Sequence, residues 1–203
     1  MMNFINTLAH RSYVRRVMSK FPVANTPIAE QRQHLEKITR NAKTPSTVSV
    51  SDITLQLSGH PAIDAEWITP ADSNKKRVLL YFHGGGFIVG SKETHRSMVA
   101  HIAKSANIQA LSINYRLAPE HTYPAAHQDC FNAYRWLLDN GYEPQEIILG
   151  GDSAGAFLVL QTLLEIKQQG MDQPQAAFLL SPLTDALYFN GESYVSKRKR
   201  DPW

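Results

Sequence analysis

Five residues, Gly151-Asp152-Ser153-Ala154-Gly155, have the types and spacing that make a serine hydroxyl a nucleophile. A serine flanked by small residues fits a sharp strand-to-helix turn. There the backbone passes close to itself, and only Gly or Ala leaves room. The flanks supply that context. Glu146-Ile147-Ile148-Leu149 reads as a short, buried, apolar strand. After the turn, Phe157, Leu158, Leu160, Leu163, Leu164 and Ile166 recur at helical spacing, and Gly170 stops the pattern. A hydroxyl at such a turn stands above the sheet, beside helix N–H groups that favour a developing oxyanion. It also needs a base. All eight histidines (His10, His34, His60, His83, His95, His101, His121 and His127) precede Ser153.

A second group, His83-Gly84-Gly85-Gly86, follows another apolar strand. Three glycines let backbone N–H groups approach a substrate oxygen without interference from Cβ atoms. With the N–H of Ala154, those of Gly84 and Gly85 can form an oxyanion hole, each donor being worth roughly 3–4 kcal/mol when removed. A flexible glycine loop or a phosphate-binding turn are the alternatives for this segment on its own.

The elements that must carry these groups alternate. Ser46 to Leu57 and Ile63 to Ile68 alternate apolar and polar residues, with Ser58-Gly59-His60-Pro61 as a turn, and predict an antiparallel start to a sheet. From Arg77 the strands become continuously apolar: Val78 to Phe82, Ile108 to Ile113, Ile147 to Leu149 and Ala176 to Leu180. Helical patterns over Glu93–Ala106, Ala125–Asn140 and Ala154–Gln169 separate them. Such alternation predicts βαβ units, hence an α/β fold with a mostly parallel sheet covered by helices on both faces. A polar helix over Pro27–Lys43 precedes the sheet.

At 203 residues the chain suits one sizeable core. Its net charge of +3 misleads. Residues 1–43 hold 8 basic and 2 acidic side chains, 197–203 hold 4 and 1, and the remainder holds 9 and 15, a balance of −6. No basic stripe crosses the core, which argues against a nucleic-acid partner. The one cysteine, Cys130, forms no intrachain disulfide and falls on an apolar helical face (Phe131, Tyr134, Leu137, Leu138). No apolar run is long enough for a transmembrane helix. The first 20 residues lack a signal-peptide core and read as a basic amphipathic helix packing on its own domain. A cytoplasmic location is expected.

Three motifs at these spacings resemble the hormone-sensitive-lipase-like branch of the α/β-hydrolases, a group of carboxylesterases and lipases. They are His83-Gly84-Gly85-Gly86-Phe87, then Tyr115-Arg116-Leu117-Ala118-Pro119-Glu120-His121 with Pro124-Ala125-Ala126 and Asp129 behind it, and Gly151 to Gly155. The resemblance covers essentially the whole chain. It implies an α/β-hydrolase fold with residues 1–45 as an N-terminal helical cap segment and 46–203 as the hydrolase domain. It implies Ser153 as catalytic nucleophile acting through an acyl-enzyme on short- to medium-chain acyl esters, with no cofactor and no metal. His83 becomes a structural histidine, and Asp152 an organiser of the turn. Arg116, Glu120 and Asp129 are expected in one structural polar network, and Tyr115 in packing.

The chain departs from that family at its end. There the triad follows the order Ser, Asp/Glu, His, and members continue for roughly another hundred residues. Here Glu165, Asp172, Asp185, Glu192 and Asp201 follow Ser153, and no histidine does. Asp185 lies one strand too early for the triad acid. The last two strands and the last helix are expected to be missing, whether by fragmentation, by truncation of the gene, or because a second chain completes the fold. An inactive relic, or a remnant that binds a ligand or partner, is the competing reading. The strand Ala176–Leu180 would then offer an open apolar edge for self-association. The run Lys197-Arg198-Lys199-Arg200 reads as a solvated loop.

Overall fold

The structure is a computed structural model that describes residues 26–184. Three expectations lie outside those residues: the amphipathic helix at the N-terminus, the role of Asp185, and the basic run 197–200. The chain divides into two compact units. Met1–Gln31 with Asp185–Trp203 form one, of which residues 26–31 are described; Arg32–Thr184 form the other. In the first, Pro27 O accepts from the N–H groups of Glu30 and Gln31 and so opens a helical turn.

The element order is α1 (Ile28–Thr39), β1 (Val48–Leu55), β2 (Ile63–Pro70), β3 (Asn74–Phe82), α2 (Lys92–Ala106), β4 (Ile108–Asn114), α3 (Ala125–Asp139), β5 (Ile147–Asp152), α4 (Ala154–Gln168) and β6 (Ala176–Leu180). They build a sheet of order β1-β2-β4-β3-β5-β6. β1 pairs with β2, and β2 with β4, antiparallel; the pairs β4-β3, β3-β5 and β5-β6 are parallel. The expected antiparallel start and mostly parallel continuation are both present.

β3 shows why its sequence is continuously apolar. Val78, Leu80 and Phe82 enter a core that includes Tyr134 and Leu137 of α3 and Leu158 and Val159 of α4. Leu79 and Tyr81 point the other way, against Val99, Ala100 and Ala103 of α2. Alternate residues are buried on opposite faces, so no position is left for a polar side chain. Cys130 lies in the first of these cores as a free buried thiol.

Several boundaries differ from expectation. β3 begins at Asn74, because the exposed, polar residues 74–77 still reach the neighbouring strand, where Asn74 pairs with Ile108 across a register shift. Charged residues on a solvated strand end carry no hydrophobic periodicity, so the pattern hid them. The helix α1 stops at Thr39, where a turn closes with Ala42 N–H donating to Thr39 O. β6 leaves Ala176 and Leu180 exposed, and among the described residues it pairs with β5 alone.

Candidate active site

The register brings the three motifs to one end of the sheet. Phe82 of β3 stands opposite Ile113 of β4 on one side and Gly151 of β5 on the other. The chain leaving each strand therefore carries its motif to the same edge, the carboxyl ends of parallel strands where α/β sheets bind their ligands.

Ser153 sits at the turn from β5 into α4 with φ 50° and ψ −116°. A serine just before a helix ordinarily caps it from an extended backbone. Here the side chain makes no capping hydrogen bond and the residue is exposed. The hydroxyl is withheld from the helix at a backbone cost of order 1–3 kcal/mol. Close contacts impose that conformation. A Cβ on Gly151 would lie 2.6 Å from the Gly155 carbonyl carbon, and one on Gly155 would strike Phe82 O and come within 2.6 Å of His83 O.

Asp152 is the hub between the two loops. Its Oδ1 accepts from the Tyr81 hydroxyl and from the Gly84 N–H, both at 2.9 Å, while Oδ2 lies 3.5 Å from His95 Nε2. Partial burial alone would raise its pKa, but the hydrogen bonds from His95, Tyr81 and Gly84, with the charge of His95, hold the carboxyl below the usual aspartate value. The expectation for Gly84 needs correction. Its N–H is already given to Asp152, and a Cβ there would collide with the same carboxylate. Gly84 anchors the loop instead of serving an oxyanion. The amides of Gly85, Gly86 and Ala154 have no hydrogen-bond partner among the described residues. Gly85, at φ 122°, takes N–H bonds from Ile88 and Val89 on its carbonyl, which closes the loop into a tight turn.

His83 is 1% exposed, stacks on Tyr115 with ring centroids 4.2 Å apart, and places Nδ1 2.7 Å from Gly84 O. The carbonyl can only accept, which assigns the ring proton to Nδ1 and leaves the buried Nε2 unprotonated and without a partner. Burial, aided by the neighbouring His95, pushes its pKa down to about 3. Tyr115 does more than pack, since its hydroxyl donates to His83 O at 2.6 Å.

The expected single network of Arg116, Glu120 and Asp129 is two. Arg116 forms a forked pair with the buried Asp129, which also accepts the Arg116 N–H, tying the loop after β4 to α3. Glu120 instead pairs with Arg32 of α1, whose guanidinium also donates to Ile88 O and Ala118 O at 2.8 and 2.9 Å. Arg32 thus straps the glycine loop to the loop after β4. Sequence reasoning missed Arg32, Tyr81 and His95. The Lys92-Glu93-Thr94-His95-Arg96 run was the available signal for His95, because a helix packing on a sheet seldom begins with so many polar side chains.

A family model described as alpha/beta hydrolase fold matches residues 79–203. The chain belongs to the α/β-hydrolase fold family. Among curated relatives of this α/β-hydrolase, an acetyl-hydrolase of Streptomyces hygroscopicus is 39% identical over 137 residues, 68% of this chain and 45% of that protein. An esterase of Acinetobacter venetianus is 38% identical over 131 residues, 64% of this chain and 43% of that protein. The chain spans less than half the length of these two relatives. The crystal structure of an esterase from the bacterial hormone-sensitive lipase family is 36% identical, with a TM-score of 0.84, over 95% of this chain and 63% of that one. The structure of EstE5 soaked with p-nitrophenyl butyrate is 35% identical, with the same TM-score of 0.84, over 95% of this chain and 64% of that one. Fold and branch agree with the resemblance carried by the three motifs.

Proposed function

We propose that this α/β-hydrolase is a serine carboxylic ester hydrolase acting on short- to medium-chain acyl esters. The observation that carries this reading is the strained, uncapped Ser153, whose hydroxyl is left free at the mouth of the parallel sheet. Ser153 Oγ attacks the ester carbonyl, the alcohol leaves, and water releases the acyl group. The carbonyl oxygen, as it becomes an oxyanion, is met by the N–H groups of Gly85 and Ala154, with Gly86 the next free amide. His83 and Asp152 hold this frame and take no proton from Ser153. The name of one relative, an acetyl-hydrolase, supports a small acyl group.

Among the described residues, no histidine hydrogen-bonds the Ser153 hydroxyl. His83 Nδ1 and His95 Nε2 are engaged with Gly84 O and Asp152. A histidine from sequence beyond Ser153 supplies the base in this reading. A cytoplasmic location belongs to the same proposal, supported by the lone buried thiol of Cys130. Among the described residues, no helix is long and apolar enough to cross a membrane. Self-association of the 203-residue chain through β6 is also proposed, on its one-sided pairing among the described residues and the 41% exposure of Leu180.

The competing reading is a non-catalytic remnant that binds a ligand or partner. The two are separated with a fluorophosphonate probe on the protein expressed from its complete reading frame. Single labelling that maps to Ser153 and disappears in Ser153→Ala supports the hydrolase. An unlabelled, folded protein supports the remnant.

A further inference from the structure

The first turn of α2 is held at an unusual number of points. Ser91 and Thr94 close a reciprocal capping box. Lys92, 4% exposed, donates to Asp52 and Asp64, each at 2.8 Å, and so fastens the turn to β1 and β2. Arg96 forms a forked pair with Glu66 of β2, a carboxylate with no exposure at all. His95 lies between these two anchors. Its Nδ1 lies 2.9 Å from Thr94 Oγ1 and 3.2 Å from Ser91 O, and its Nε2 faces Asp152. Neither anchor leaves the helix free to turn, so the direction of the imidazole is set before any ligand arrives.

We propose that His95 is a positioning residue for ester cleavage, acting through Asp152 on the glycine loop. This rests on the reading of Ser153 as nucleophile. Asp152 Oδ1 alone carries the Gly84 N–H and the Tyr81 hydroxyl, and Oδ2 faces His95 Nε2 at 3.5 Å, an ion pair made by the imidazolium because Nδ1 already gives its proton to Ser91 O or Thr94 Oγ1. With Oδ2 satisfied, the carboxylate has one orientation, and the Gly84 amide one place. Without His95, the half-buried carboxylate can rotate its two oxygens or turn toward water, and the Gly84 anchor loosens. The next amide, that of Gly85, then loses its aim at the developing oxyanion. Such an effect appears when charge develops on the carbonyl oxygen and leaves substrate binding in place. Indirect supports of this kind commonly carry 10- to 100-fold effects.

The test compares His95→Leu, His95→Gln and His95→Asn with the parent in the protein from its complete reading frame, using p-nitrophenyl butyrate, with Ser153→Ala as control. The Gln side chain reaches Asp152 with an N–H, the Asn side chain is one methylene short, and Leu offers no donor. Expected are a kcat lowered about 10- to 100-fold in Leu and Asn, a KM within about twofold of the parent, and recovery to within about threefold in Gln. Equal kcat in Gln and Asn, or a change confined to KM, overturns the proposal. Hydrogen exchange of the peptide containing Gly84 gives a readout independent of turnover. It accelerates in Asn and not in Gln if His95 positions the loop, and unchanged exchange in Asn counts against the role. If parent hydrolysis survives Ser153→Ala, the nucleophile reading itself has failed. If hydrolysis depends on Ser153 while His95→Asn keeps full kcat, only the positioning role is lost.

Discussion

The turn at Ser153 and the strand β6 are neighbours of opposite character. At the turn, Gly84, Gly151 and Gly155 have no room for a Cβ, and one carboxylate joins β3, the glycine loop and α2. In β6, an apolar sequence is half exposed, and among the described residues only β5 pairs with it. They run side by side, with Gly151 opposite Leu179 and Asp152 opposite Leu180, and the Ser153 N–H donates to Leu180 O at 2.9 Å. What separates them is the number of independent constraints on each residue. A strained backbone at φ 50° persists only where its surroundings over-determine it.

The largest effect expected from disturbing the constrained side is that of Gly155→Val. Its side chain would meet Phe82 O and His83 O. Because backbone cannot yield cheaply, a loss of at least about 3 kcal/mol is expected, read as the urea midpoint. A loss below about 1 kcal/mol would show that the turn is less tightly imposed than its contacts indicate.

Acid should reach the same region through His83. The unfolded chain takes up this proton near pH 6.5, the folded chain only near about 3. Between those values the unfolded state binds more protons, so stability falls as pH is lowered through the window. The His83 contribution should be about 1.6 kcal/mol between pH 6.5 and 5. It should vanish in His83→Phe, measured by urea unfolding at both pH values. β6 has no titratable side chain, so it adds no such slope.

Strain can also be removed from the turn. Ser153→Gly should raise stability by about 1 kcal/mol, because Gly adopts this backbone freely, less the entropy it adds to the unfolded chain. The same change should abolish hydrolysis, which would separate the conformational cost from the chemistry. On the unconstrained side, Leu180→Lys should alter stability by less than about 0.5 kcal/mol. It should nonetheless lower the apparent mass of the 203-residue chain by light scattering if the β6 edge mediates association.

The sequence reveals the strands with buried faces, because burial on both sides leaves an unbroken apolar run, as in Val78–Phe82. It reveals the serine turn through its small residues. It does not reveal the solvated start of β3 at Asn74, whose pairing depends on backbone bonds that any side chain permits. Nor does it reveal which glycine amide is free. Gly84 and Gly85 look equivalent as letters, and only the position of Asp152 commits the first. Arg32 and His95 were hidden for a related reason. Each acts on residues far away in the chain, Arg32 on Glu120 and His95 on Asp152.

The most direct measurement is p-nitrophenyl butyrate hydrolysis by the 203-residue chain alone, beside its Ser153→Ala variant and beside the protein from the complete reading frame. The expected result is turnover in the protein from the complete reading frame that Ser153→Ala removes, with the 203-residue chain no faster than its own Ser153→Ala background. Ordinary esterase turnover by the 203-residue chain, lost in Ser153→Ala, would contradict this. One of the eight histidines preceding Ser153 would then be the base.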